Sequence, residues 1–372
     1  MLCLKGNVFA RLAILNLAAI VTLAACAPQA ATPQIIRETV QIPVTVEPAV
    51  IRETVAVPVP ADSGSLVVYS GRSESLVGPI IAQFSEATGI QVEVRYASTS
   101  EMAATLLEEG ANSPADVFFA QDPGGLGAVA NAGLFAPLPN EILSKVPTEY
   151  RSPDGLWVGI SARARVVVYN TDALTPDDLP EDIWDFTDPQ WNGRIGWAPT
   201  NGSFQAMVTA MRVVWGEDRT REWLAGIQAN NPVVFEGNAP IVEAVGAGEI
   251  EVGFVNHYYL YRFLREQGEA FKARNTFLPG GGPGSLVMVA GAGRLANGQN
   301  EANALKFLEF LLSPVAQQYF ASQTYEYPLV EGVNTQGGLM PLAELGRLDI
   351  DMVELADLQG TIQLMQDVGV LP

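Results

Sequence analysis

Three tyrosines fall within four residues, in Asn256-His257-Tyr258-Tyr259-Leu260-Tyr261. The run follows the apolar stretch 251–255, so the pair Tyr258–Tyr259 belongs where a strand ends and a helix begins. Adjacent phenols are costly to bury unless their hydroxyls find partners. A phenolate oxygen is a hard, anionic donor, and hard cations prefer oxygen. The pair therefore suits a trivalent cation such as Fe(III). Each phenol must shed its proton to bind, so capture should weaken in acid. The same residues also fit an aromatic helix face packed in a core or pocket wall, and the residues alone leave both readings open.

Other chemistries are poorly supplied. His257 is the only histidine, which excludes zinc sites built on two or three histidines. No GxSxG elbow, GxxxxGK phosphate loop or HExxH helix occurs. Gly291-Ala-Gly293-Arg-Leu-Ala296 matches GxGxxA in letters. Asn297-Gly298 follow where a helix should open, so the segment reads as a loop. Asn201-Gly-Ser203 is a sequon by pattern and reads as a helix start. No nucleophile–base pair can be named, so the chain is not expected to be an enzyme.

The elements that must position such a site alternate. Apolar strands are predicted at 66–69, 91–96 and 115–119. Helices at 76–88 and 100–109 are closed by Gly89 and Gly110. This βαβαβ order predicts a largely parallel sheet with helices on both faces. Ligands on such sheets sit beyond the carboxyl ends of the strands. Those ends are polar here: Ser70-Gly71-Arg72, Ala97-Ser98-Thr99-Ser100 and Ala120-Gln121-Asp122. A second α/β unit is predicted from strands at 165–169, 233–235 and 250–255 and helices at 204–214 and 219–228. A strand at 286–290 follows, then one long helix over 301–322, bent at Pro314. About 310 residues exceed one ordinary core, so two lobes with a cleft are expected.

The amino-terminal segment bears on location. Lys5 and Arg11 precede an apolar stretch from Leu12 to Ala25 that is too short to span a bilayer and fits a signal sequence. It ends Leu23-Ala24-Ala25-Cys26, which resembles the lipobox of bacterial lipoproteins. Residues 1–25 are read as signal peptide and Cys26 as the lipidated first residue, the lipid being the only membrane anchor. Cys3 and Cys26 are the only cysteines, so the domain beyond residue 26 has no disulfide or thiolate metal site. Residues 27–62 are rich in Pro, Val and Thr, and repeat 36–44 as 51–59. They read as a semi-rigid tether that at roughly 3.1 Å per residue could reach about 110 Å; an edge strand pair packed on the domain is the other reading. The net charge of −20 argues against nucleic acid or anionic lipid as partner.

Several segments together resemble the ferric-ion-binding proteins of bacterial ABC importers. They are Leu66-Val-Val-Tyr-Ser-Gly71, Pro114-Ala-Asp-Val-Phe-Phe119, Ala132-Gly-Leu-Phe-Ala-Pro137, Ala164-Arg-Val-Val-Val-Tyr-Asn170, Trp191-Asn-Gly-Arg-Ile-Gly196, Ala198-Pro-Thr-Asn201 and Asn256-His-Tyr-Tyr259. The last is the most specific, because that family's iron ligands include a consecutive tyrosine pair. The resemblance implies an α/β, two-lobed type II periplasmic-binding-protein fold, with mixed sheets flanked by helices and a ligand cleft between the lobes. Lobe one is placed at 63–160 with 286–340, and lobe two at 161–285 with 341–372. Hinges are expected near Gly159-Ile160 and Gly284-Ser285. It further implies an extracytoplasmic, monomeric, non-enzymatic carrier of a small inorganic ligand that serves an importer's permease and ATPase.

Carried over residue by residue, the resemblance implies Tyr258 and Tyr259 as iron ligands, with Tyr169 as a further tyrosine. Asn256 matches an anion- or water-contacting asparagine. Ser161, Arg163 and Asn201 match segments that hold a synergistic anion such as carbonate or phosphate. The chain departs from the family twice. The first-strand histidine ligand is replaced by Ser70-Gly71-Arg72-Ser73, and the glutamate ligand by Gln121, with Asp122 beside it. Ser70, Arg72, Gln121 and Asp122 are therefore expected to line the anion or ligand site. A guanidinium suits bidentate capture of an oxyanion, and an ion pair is the alternative for Arg72. The same scaffold elsewhere takes polyamines, thiamine, phosphonates or sulfate. A sensory lipoprotein without transport is the rival of another class.

Overall fold

The computed structural model describes residues 63–336, 339–346 and 348–372. The segments read as signal peptide and tether, with Cys26, lie outside the described residues. The predicted βαβαβ start is present: β1 (Ser65–Ser70), α1 (Glu74–Thr88), β2 (Gln91–Tyr96), α2 (Thr99–Glu109) and β3 (Val117–Ala120). β1 lies between β2 and β3, parallel to both. Gly89 ends α1 at φ 75°, a left-handed conformation that favours glycine. Ser98 and Glu101 start α2 with a reciprocal capping box.

The next strand departs from expectation. A strand was predicted at 165–169, but β4 runs from Val158 to Asn170 and is buried along its whole length. Ser161, Arg163 and Arg165 disguise its first half, because polar residues in a buried strand do not read as one. The chain continues through β5 (Ile195–Trp197), β6 (Val233–Val234), β7 (Val252–Asn256), β8 (Ala273–Thr276), β9 (Val287–Arg294) and β10 (Tyr327–Pro328). The sheet order is β2-β1-β3-β9-β4-β7-β5-β6, with β8 and β10 also on β4. The first half of β4 pairs antiparallel with β9 and β10, and the second half with β7 and β8. β5 lies parallel to β6 and β7. One strand thus serves both lobes, and its register against β9 shifts between Gly159 and Ser161.

The remaining helices are α3 (Pro123–Asn131), α4 (Asn140–Leu143), α5 (Gly202–Trp215), α6 (Glu217–Ala229), α7 (Asn238–Ala247), α8 (Tyr258–Gln267), α9 (Glu301–Leu311), α10 (Pro314–Gln323) and α11 (Leu358–Asp367). The single bent helix expected over 301–322 is two helices. Pro314 has no N–H to continue α9, and the Ser313 hydroxyl accepts from Ala316 N–H to start α10. The GxGxxA segment is not a loop: Gly291 and Gly293 are interior to β9. A Cβ at Gly293 would sit 2.6 Å from the Phe135 ring and 2.8 Å from the Leu156 carbonyl, so glycine is needed for close packing rather than for a phosphate.

Two apolar clusters hold the lobes. The larger includes Val68, Phe118, Ile160, Met288 and Phe307. The smaller gathers Val166, Val168, Ile241, Val245, Val255 and Leu260 around β4, β7, α7 and α8. Each fully buried aliphatic side chain contributes about 1.5–3 kcal/mol. Carboxy-terminal α11 docks on α5 through Thr361–Thr209, at 2.7 Å, and Asp357–Arg212, at 2.9 Å.

Candidate ligand-binding cleft

β1, β2, β3, β5 and β7 end in a cleft of about 310 Å³, lined in part by Thr99, Gln121, Asp122, Asn201, Asn256, Tyr258 and Tyr259. Four helices, α2, α3, α5 and α8, begin at its wall. Their capping residues include Ser98, Asp122 and Asn201. The Asn201 side chain accepts from the Ser203 and Phe204 N–H groups. Each helix start carries a partial positive charge and favours an anion by about 0.3–1 kcal/mol, so four of them give the cleft a marked preference for negative charge.

Thr99 ties the lobe-one wall together. Its hydroxyl donates to the Gly71 carbonyl and accepts from Gln121 N–H. A Cβ at Gly71 would lie 2.7 Å from Thr99 Cα, so only glycine permits the approach. Gln121 points an amide with no hydrogen bond among the described residues. Asp122 faces α5 across the cleft, where a Cβ at Gly202 would lie 3.4 Å from its Oδ2. Burial raises the Asp122 carboxyl above its ordinary value, opposed by Arg163 and by the Gly125 N–H.

The opposite wall carries the tyrosines. Their rings stack at 4.4 Å between centroids. Tyr258 is 2 % exposed. Burial first, then Tyr259 and Glu326, push its phenol well above the usual value, while Arg163 pulls it down. Among the described residues no group of three or more His, Cys, Asp or Glu could hold a metal; the oxygen donors of this cleft are of another kind.

Behind the tyrosines lies a buried polar layer. Asn256 accepts from Arg165 at 3.1 Å and donates to the Ser203 hydroxyl at 3.1 Å. Arg163 also reaches Ser203, at 3.4 Å. Arg163 Nη1 and Arg165 Nε and Nη2 have no partner among the described residues. Burial lowers both guanidinium groups, Arg165 to about 9 and still charged at neutral pH. Sequence reasoning missed Arg165, although its spacing of two from Arg163 puts both on one face of β4.

The structure does not bring every expected residue to the cleft. Arg72 is sealed from solvent and paired with Glu326 at 2.6 Å, each at most 1 % exposed. It also donates to Ser161 and lies over the rings of Phe119 and Phe320. The ion-pair alternative therefore describes Arg72, because its charge is already neutralised. Ser70 is spent on the Arg72 backbone and Ser161 on the Arg72 side chain. Tyr169 lies four residues past Arg165 on β4, about 13 Å along the strand, paired with Val252 and Arg274. None of the four lines the cleft. Glu326 was missed as well, since its partner is 254 residues away.

Residues 79–339 match the family described as bacterial extracellular solute-binding protein. The Fe(3+)-binding periplasmic protein of Serratia marcescens is 33 % identical, over 84 % of this chain and 92 % of its own. Iron uptake protein A1 of Synechocystis is 35 % identical, over 74 % of this chain and 78 % of its own. Among solved structures, iron-bound HitA from Pseudomonas aeruginosa superposes with a TM-score of 0.79 at 35 % identity, covering 84 % of this chain and 100 % of that one. Trichodesmium FutA, with iron and citrate, gives 0.72 at 31 % identity, covering 82 % and 99 %. The fold, the matched span and these relatives place the chain in one family: it belongs to the bacterial extracellular solute-binding proteins, on the ferric-ion-binding branch.

Proposed function

We propose that this protein is the extracytoplasmic binding component of an ABC importer, taking ferric iron on the phenolates of Tyr258 and Tyr259. The observation that carries this is the stacked tyrosine pair at the start of α8, set in a cleft ringed by four helix starts. Two phenolates leave a ferric ion with a net positive charge and most of its coordination sphere open. Arg163 and Arg165 add positive charge behind it. An anion must therefore accompany the iron, and carbonate or phosphate fits. Asn201, Asn256 and the helix starts face it from lobe two, and Gln121 and Asp122 from lobe one. The same electrostatics disfavour a polyamine, whose charges the helix starts would repel.

Ligand bridging both walls would close the lobes by hinge motion near Gly159-Ile160 and Gly284-Ser285, with the lobes divided at the boundaries given above. Lipidation at Cys26 would hold a monomer on the cell membrane, in the periplasm or on the membrane's outer face, where the closed form meets the permease and its ATPase. Relatives that are binding proteins accord with a carrier without catalysis. Equilibrium dialysis against Fe(III)-citrate, with metal analysis, tests the assignment. About one iron per chain is expected, lost in Tyr258→Phe/Tyr259→Phe. Undiminished binding by that variant would refute the assignment.

A further inference from the structure

His257 precedes the tyrosine pair and occupies the N-cap of α8, yet its side chain caps nothing. Ser, Thr, Asp or Asn at a cap typically contributes about 1 kcal/mol, a gain this position forgoes. The imidazole is fully buried and committed elsewhere. Nδ1 accepts from the Ala164 N–H at 3.1 Å, and Nε2 lies 2.8 Å from the Tyr325 carbonyl. A backbone N–H on one side and a carbonyl on the other fix the tautomer: Nδ1 bears the lone pair and Nε2 the proton. The His257 backbone is held too. Its N–H donates to the Ala164 carbonyl at 3.1 Å, and its carbonyl accepts from Asn275 at 2.8 Å.

The far end of this clamp is itself held. Tyr325 adopts φ 57°, a conformation few non-glycine residues take, and its ring stacks on Tyr261 of α8 at 5.3 Å. The next residue, Glu326, pairs with Arg72 of lobe one. Tyr327 follows in β10, paired with Ala162 of β4, its ring 4.8 Å from the imidazole. Four hydrogen bonds thus fix the residue from which Tyr258 and Tyr259 project, and one of them leads to the segment whose Glu326 pairs with Arg72.

Resting on the ferric reading above, we propose that His257 is a positioning residue for iron binding, fixing the direction in which the two phenols leave β7 without itself touching the metal. Groups that orient metal ligands typically change metal affinity by about 10–100-fold when removed.

Three variants of the full chain, titrated with Fe(III)-citrate, test this. His257→Phe keeps a ring against Tyr327 and loses both side-chain hydrogen bonds. His257→Gln can still donate to the Tyr325 carbonyl, and His257→Asn can still accept from Ala164. Phe should weaken iron binding by about tenfold or more and shift the tyrosinate-to-iron absorption band, with Gln and Asn intermediate. A purely structural role would lower the unfolding temperature and leave band and affinity of the folded protein unchanged, which would overturn the proposal. Should His257→Phe fail to fold, wild-type band and affinity in both Gln and Asn variants would overturn it equally. Absence of a band in the wild-type protein would instead defeat the ferric reading.

Discussion

Tyr258 keeps its proton in the metal-free protein, because burial and the neighbouring Tyr259 and Glu326 outweigh the pull of Arg163. A ferric ion must displace that proton. Iron uptake in weak buffer should therefore acidify the solution, and affinity should fall as pH drops, since protons compete with metal for the phenolate. A pH-indicator titration checks this, with Tyr258→Phe releasing fewer protons per iron. Arg72 belongs to stability rather than to ligand. Arg72→Met would leave the Glu326 carboxylate buried and unpaired, costing about 3–5 kcal/mol, as urea unfolding of the metal-free protein should show. At this scale the tyrosine pair was legible, because adjacent phenols at a strand end are chemically unusual. Glu326 was not, since nothing local in the sequence marks a carboxylate whose partner lies in the other part of the chain.

The elements around the cleft owe their convergence to short polar links. Thr99 joins the ends of β1 and β3 from the first turn of α2. Thr99→Val removes both bonds of a buried hydroxyl, and should lower stability by about 1–3 kcal/mol while also weakening ligand binding. Thermal unfolding and iron titration of the same samples separate the two effects. The β1–α1–β2–α2–β3 unit was readable because apolar strands and the helix stops Gly89 and Gly110 all signal locally. α3 gave no such signal: Pro-Gly-Gly-Leu-Gly has low helix propensity, and it is helical because Asp122 caps it and its small residues allow close packing. The first half of β4 was hidden for the opposite reason. Its polar side chains are buried by elements that only the tertiary fold brings together.

Across the whole molecule, β4 and the segment 324–328 tie the tyrosine-bearing wall to lobe one. Burial lowers the His257 imidazole to about 4 from an ordinary 6.5, opposed by its hydrogen bond with the Tyr325 carbonyl. The unfolded chain takes up this proton near pH 6.5 and the folded one only near pH 4. Stability of the metal-free protein should therefore be full above pH 6.5 and fall toward pH 4, by up to about 3 kcal/mol. Denaturant unfolding across that window should show the slope, and His257→Phe should flatten it. The two-lobed architecture and the cleft at the strand ends were foreseeable from the alternation of elements and the polar strand ends. The buried arginine layer, and the way Arg72 is spent, required the fold. The central claim is ferric binding by tyrosinate, and visible absorbance during titration of the metal-free protein with Fe(III)-citrate tests it most directly. A charge-transfer band that saturates near one equivalent, bleaches on acidification and is absent from Tyr258→Phe/Tyr259→Phe is the expected result. No band in the wild-type protein, or an equal band in the double variant, would contradict it.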